Sequence, residues 1–289
     1  MKWIYRRAVA GCQRIMKLSV VIPAHNEQAC IGGTIRALHA QLSAAQIEHE
    51  ILVVNDNSID LTGKILTSLQ SEIPALSVVN NDPPHGFGFA VRKGLDSYTG
   101  DAVAIYMADA SDRPEDLVSF WRVLEKEDVD CVFGTRFSKR SKLVDYPFHK
   151  LILNRIANTF IQVIFTLRYN DVTNAFKLYR RPVIEGIKPL LSHHFNLTVE
   201  LPLKSIVRGY SYAIVPNDWI NRKTGVSKLL VQEMGSRYLF IVLYCFIEKW
   251  LSKRDYHREK LLEASTKQNA GEIKAHRLVA NSRKADRVT

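Results

Sequence analysis

Residues 18–27 read LSVVIPAHNE and residues 50–58 read EILVVNDNS. Each is a short apolar run, rich in Val and Ile, that stops at a polar cluster. Polar and apolar residues do not alternate within the runs, so both faces of each strand are buried, as in a parallel sheet covered by helices. Residues 76–80 (LSVVN), 101–109 (DAVAIYMAD) and 130–137 (DCVFGTRF) repeat the pattern. Between them, residues 29–45, 60–70, 87–98 and 114–127 place apolar side chains at helical spacing. Asp60 and Asp112 stand at N-cap positions, and Pro114 suits a first turn. The alternation predicts βαβαβαβαβ, a mostly parallel α/β sheet with helices on both faces. Ligands of such sheets lie beyond the carboxyl ends of the strands. The polar clusters sit at those ends.

Downstream the rhythm changes. Residues 151–167 read as a helix that is apolar except for a stripe of Arg155, Asn158, Gln162 and Thr166. A helix over 197–208, a strand over 212–216, a polar loop NRKTGVSK and an apolar helix over 238–251 follow. The chain therefore divides into a basic segment (1–17), one α/β domain (18–235), an apolar amphipathic helix (236–251) and a basic tail (252–289) with too little apolar content to pack. A length of 289 residues, 46% of them hydrophobic, is enough for one large domain with a sizeable core. The four cysteines (Cys12, Cys30, Cys131, Cys245) form no CxxC pair. That excludes a zinc ribbon or disulfide framework and suits a reducing, cytoplasmic compartment. The net charge of +11 is concentrated in the two ends, which points to a polyanionic surface such as a membrane leaflet. No groove-entering motif or aromatic-basic platform supports nucleic acid. Neither a signal peptide nor an apolar run of about 20 residues is visible, so the expected location is peripheral at the membrane.

The chemistry-bearing residues gather at strand ends. Asp56 leaves the second strand, Asp109 and Asp112 follow the fourth, and together they suit a ribose or base contact and a divalent cation. Departure of a nucleoside diphosphate develops negative charge that a cation or Arg/Lys groups must stabilise. Arg222, Lys223 and Lys228 on the polar loop could close over the diphosphate, and Arg92 and Lys93 could assist. Arg136, at the end of the fifth strand, is the candidate for an acceptor phosphate. Asp171, Thr173 and Asn174 either line a sugar pocket or form a turn. Glu200 is either a general base or an ion-pair partner, and His193 and His194 have no third ligand at metal spacing. Gly86, Gly88 and Gly94 are expected to let the backbone pass close to a donor.

PAHNE, VVNDNS, MADASDRPEDL, FGTRF, TNAFKLYRR and NRKTGVSKL, in that order over about residues 18–229, resemble the family 2 glycosyltransferases. The resemblance is nearest to the polyprenol-phosphate mannosyl- and glucosyltransferases. It implies a GT-A (Rossmann-like) fold, a GDP- or UDP-sugar donor, inversion at the anomeric carbon and a polyprenyl phosphate acceptor. By the same resemblance Pro23, Ala24, Asn26 and Glu27 line the nucleotide pocket, Asp56 binds base or ribose, and Asp109 stands nearest the metal and diphosphate. The family's acid pair is broken here. Met107 stands at the first acid, so Mg2+ or Mn2+ would rest on Asp109, unless Asp112 substitutes from the other side. Two alternatives remain open at this point. One is transfer to a saccharide hydroxyl in cell-surface glycan synthesis, with Glu200 or Asp171 as base. The other is a sugar-nucleotide-binding pseudoenzyme. The apolar helices could face the lipid surface or a second copy in a homo-oligomer.

Overall fold

The computed structural model describes residues 16–221 and 231–260, without the side chains of 231–234. Five strands, β1 (Leu18–Ala24), β2 (His49–Asn55), β3 (Leu76–Asn80), β4 (Ala102–Ile105) and β5 (Cys131–Thr135), alternate with four helices. These are α1 (Ile31–Ala44), α2 (Thr62–Glu72), α3 (Phe87–Ser97) and α4 (Pro114–Glu127). β1 runs parallel to β2, with Leu18 opposite His49 and Ala24 opposite Asn55, and parallel to β4, with Leu18 opposite Ala102. The residues that follow all three strands therefore emerge on one edge. Alternate residues of β1 serve different cores. Val20 and Ile22 pack with Ile31, Ile35 and Leu38 of α1, while Val21 packs with Val91 and Leu95 of α3. This two-sided burial is why the strands read as unbroken apolar runs.

The second half adds β6 (Leu143–Val144), α5 (Phe148–Phe165), β7 (Lys177–Arg180), α6 (Arg181–Gly186), α7 (Leu197–Val207), β8 (Tyr212–Pro216), β9 (Trp219–Ile220) and α8 (Val231–Leu251). The seven-stranded order is β3-β2-β1-β4-β7-β5-β8, and β6 pairs with β9 separately. β7 is antiparallel to both neighbours. Its sequence, KLYR, does not read as a buried strand. Lys177 is nevertheless buried, because its amine donates to the carbonyls of Val172, Asn174 and Thr198. β6 and β9 are too short to carry a periodic signal.

Two cap expectations change. Leu61 occupies the N-cap of α2, with Asp60 accepting the Thr62 N–H at 2.9 Å. Arg113 occupies the N-cap of α4, and Asp112 is buried. The glycines of α3 serve protein packing. A Cβ on Gly88 would lie 2.3 Å from the His193 backbone, and one on Gly94 would lie 2.4 Å from Val21.

α7 is buried along its length. Glu200 and Lys204 pair at 2.6 Å with side chains wholly shielded. One turn later Arg208 grips Glu248 of α8 through two hydrogen bonds, at 2.7 and 2.9 Å. Residues 252–260 turn back onto the body, where the Arg258 guanidinium meets Asp130. Segments 1–15 and 261–289, which hold most of the basic ends, lie outside the described residues.

α5 is inside out for a helix facing water. Its Asn158 is buried, donating to the Asn154 carbonyl and the Thr173 hydroxyl, whereas Ile152, Ile156, Phe160 and Val163 face outward. α8 exposes Leu239, Phe240, Leu243 and Ile247. Among the described residues, no helix is long and apolar enough to cross a membrane.

Candidate active site

At the carboxyl edge the β1 turn and the β2 loop lace together. Asn26, at φ 52°, donates its N–H to the Ser58 hydroxyl and accepts the Ile59 N–H on its side-chain oxygen. Glu27 donates its N–H to the Thr62 hydroxyl. Pro23 and Ala24 end the strand beside them. Asp56 is buried, and its carboxylate accepts from Asn81, His85 and the Gly86 N–H at 2.8, 3.0 and 2.8 Å. It thereby anchors the loop that opens α3. On that helix Lys93 pairs with exposed Asp82 at 3.3 Å. Arg92 keeps Nη1 shielded with no hydrogen-bond partner among the described residues.

Beyond β4 the chain turns through Ala110, at φ 58°, and Asp109 accepts the Ser111 N–H at 3.1 Å. Asp112 is only 5% exposed. Burial and the neighbouring Asp109 charge push its carboxyl up to about 7, against the pull of Arg136 and the Met107 N–H. Its Oδ2 has no hydrogen-bond partner among the described residues. Two carboxylates crowded in a shielded loop, with one oxygen orphaned, fit a divalent cation. A hard cation such as Mg2+ commonly takes one or two protein carboxylates and completes its shell with phosphate and water.

Arg136 is 8% exposed and forks onto Asp171, Nε at 2.9 Å and Nη2 at 2.7 Å, while its own N–H donates to the same carboxylate at 2.8 Å. Burial opposes the guanidinium charge and Asp171 outweighs it, so Arg136 is held charged. Asn174 donates to the Gly134 carbonyl and the Asn217 side chain, both at 3.0 Å. Lys177 secures the same loop from below. Its amine is driven down to about 7 by burial, with Asp171 resisting.

A cavity of about 440 Å³ joins these groups. Its polar end holds Asp109, Asp112, Arg136 and Asn174, and its apolar end lies between Leu153, Ala157 and Phe160 of α5 and Leu239 and Val242 of α8. Of the residues expected from sequence, the cavity thus brings together Asp109, Asp112, Arg136, Thr173 and Asn174. Asp171 stands behind Arg136 and does not line the wall, and the PAHNE turn, Asp56 and Arg92 lie outside it. Glu200 is fully buried, accepts the N–H groups of Leu191 and Ser192, and does not line the cavity either. Arg222, Lys223 and Lys228 lie outside the described residues. Sequence reasoning missed Tyr146, Lys150, Asn154 and Trp219 on the wall. Lys150 had a usable signal, as a cation in the first turn of a helix whose remaining residues are mostly apolar.

The family model for glycosyl transferase family 2 matches residues 19–187, which span β1 to the end of α6. The chain belongs to glycosyl transferase family 2. This glycosyltransferase is 30% identical over 218 residues to a polyprenol monophosphomannose synthase of Mycolicibacterium smegmatis, covering 73% of this chain and 80% of that one. It is 26% identical over 243 residues to an undecaprenyl-phosphate mannosyltransferase of Micrococcus luteus, covering 81% and 96%. Among solved structures it is similar to the glucosyl-3-phosphoglycerate synthase of Mycobacterium tuberculosis, described in complex with Mn2+, UDP and glucosyl-3-phosphoglycerate. The TM-score is 0.62 at 16% identity, with 81% of this chain and 80% of the other covered. That likeness establishes the GT-A-like fold.

Proposed function

We propose that the glycosyltransferase moves a hexose from a GDP- or UDP-sugar to a polyprenyl phosphate, working from the cytoplasmic side as a peripheral membrane protein. The observation that carries the reading is the shape of the cavity. One continuous space leads from the acidic loop and two cations, Arg136 and Lys150, to an apolar slot between α5 and α8. An amphiphile with a phosphate head and a hydrocarbon tail matches both ends. The names of the two mannosyltransferase relatives agree with it.

The chemistry follows from the acceptor. A phosphomonoester is mostly a dianion at neutral pH, since its second pKa is about 6. Its oxygen needs no base, only cations that hold it in line behind the anomeric carbon. The new bond forms from phosphate oxygen to that carbon as the bond to the diphosphate oxygen breaks, and the nucleoside diphosphate leaves with the electron pair. Configuration inverts in a single displacement. Arg136 and Lys150 are assigned to the acceptor phosphate, with Asp171, Asn174 and Lys177 keeping the Arg136 fork in place. Pro23, Ala24, Asn26, Glu27, Asp56, Arg92 and Lys93 are assigned to the donor side. Bound at Asp109 and Asp112, Mg2+ or Mn2+ would offset the charge that develops on the departing diphosphate. The saccharide-hydroxyl alternative loses its bases, because Asp171 and Glu200 are both consumed in buried pairs.

The outward apolar side chains of α5 and α8 support docking on a lipid surface, with basic residues steering it there. Each such side chain contributes about 1.5–3 kcal/mol when buried. The deciding experiment is a panel of GDP- and UDP-sugars, each offered a short polyprenyl phosphate or a free saccharide. Transfer to the lipid phosphate is expected. Transfer to saccharides alone would overturn the acceptor assignment. The companion measurement is vesicle sedimentation of Ile156→Asp/Phe160→Asp, which is expected to lose membrane binding and keep its Tm.

A further inference from the structure

Residue 107, where the family pattern carries the first acid of its pair, is a methionine lining the cavity. The loop around it is folded so that a different carboxylate reaches the same backbone. Ala110, at φ 58°, curls the chain back after Asp109 into a conformation that non-glycine residues seldom adopt. The Tyr106 hydroxyl donates to the Asp112 carbonyl and pins residue 112. The Asp112 carboxylate then takes a hydrogen bond from the Met107 N–H. Its Oδ2 is shielded and has no hydrogen-bond partner among the described residues, although Asp112 is 5% exposed and lines the cavity beside Asp109 and Ser111.

Backbone strain at Ala110, burial of an acid and an orphaned oxygen are each unfavourable. A loop that combines all three is explained by a ligand they serve together. We propose that Asp112 supplies the carboxylate that residue 107 lacks, so that the cation ligand has moved along the chain while remaining at the same stretch of backbone. The proposal rests on the glycosyltransferase reading above for the diphosphate that shares the cation. It also accounts for Met107: relieved of ligation, that position contributes apolar wall.

The test uses the full chain with Mn2+ and either GDP or UDP. Free Mn2+ is followed by electron paramagnetic resonance, and Tm is measured with and without the ion. Asp112→Asn is expected to weaken Mn2+ binding at least about tenfold. Adding Met107→Asp to that variant is expected to return most of the affinity and the Mn2+-induced rise in Tm. Unchanged Mn2+ affinity in Asp112→Asn overturns the proposal. So does a folded Met107→Asp/Asp112→Asn protein that stays as weak as the single variant. Should the double variant not fold, the Asp112→Asn titration alone decides. Failure of this inference is separable from failure of the function. Full transfer in a chelator by a wild-type protein that binds no Mn2+ removes the ligand exchange and leaves the transferase. Normal Mn2+ binding with no transfer to any acceptor does the reverse.

Discussion

Two carboxylates at opposite ends of the sheet, half-buried Glu50 and buried Asp112, are treated in opposite ways. At the amino end Glu50, the second residue of β2, meets Ser19, the Thr99 hydroxyl and N–H, and Lys17. Burial works to raise its carboxyl, but these hydrogen bonds prevail and hold it at about 2. At the carboxyl end Asp112 keeps an orphaned oxygen beside Asp109 and is pushed up to about 7. A fold selected only for stability would satisfy both. Glu50 acts as a structural acid, whereas the orphaned oxygen of Asp112 is the feature that the proposed cation would complete.

Mutation at the carboxyl end tests that division most severely. Asp109→Asn is expected to lower kcat/KM about a thousandfold, by analogy with removal of one group that stabilises developing charge. Its Tm should stay within a few degrees of wild type. Near-normal turnover in that variant would mean that the acidic loop is only a turn.

Arg136→Lys comes next. It retains a charge but loses the fork onto Asp171. Transfer to polyprenyl phosphate is expected to fall about ten- to a hundredfold, the worth of one charge-assisted contact. Slow hydrolysis of the donor to water should fall much less. Equal loss in both reactions would reassign Arg136 to the donor.

How much of this was legible depends on which physics each residue obeys. The order of elements and the parallel half of the sheet were legible because burial on both faces leaves unbroken apolar runs. β7 was not, since Lys177 presents a charge to any pattern reading and only three backbone carbonyls in space make it a core residue. The place of Asp109 and Arg136 on the cavity wall was legible from their positions at strand ends. The inward turn of Asp112 was not, because an Asp two residues before a helical Pro reads as a cap until the chain is seen to curl through Ala110. The polar stripe of α5 was visible, but not that it faces inward. Asn158 is buried only because Thr173 and the Asn154 carbonyl await it.

A smaller effect is expected at the amino end, and pH gives its sign. Glu50 is held at about 2 when folded, against an ordinary value of 4.5. Its stabilisation is therefore complete above pH 4.5 and is lost as pH falls toward 2. Allowing for its partial exposure, Glu50→Gln should lower unfolding free energy by about 2 kcal/mol at pH 7. The gap should narrow by pH 3. Urea midpoints at the two pH values measure it, and an equal gap at both would show that the network acts through shape and not charge.

The smallest effect has the opposite sign and bears most directly on the contrast between the ends. With divalent ions chelated, Asp109 and Asp112 repel across a shielded loop, and none of the described residues satisfies Oδ2 of Asp112. Asn at 112 removes one of the two charges, can still accept the Met107 N–H, and gains an amide that can donate toward Asp109. It is expected to stabilise the chelated protein by about 1 kcal/mol, a rise of roughly 2–4 °C in Tm for a domain of this size. Glu50→Gln, an equally conservative change in a half-buried acid whose hydrogen bonds are made within the protein, is expected to destabilise. When Mn2+ and a nucleoside diphosphate are added the order should reverse, since wild type then gains ligand-linked stability that Asp112→Asn cannot. A variant that melts earlier than wild type under both conditions would mean that Asp112 is a structural acid like Glu50, and the two ends would no longer differ in kind.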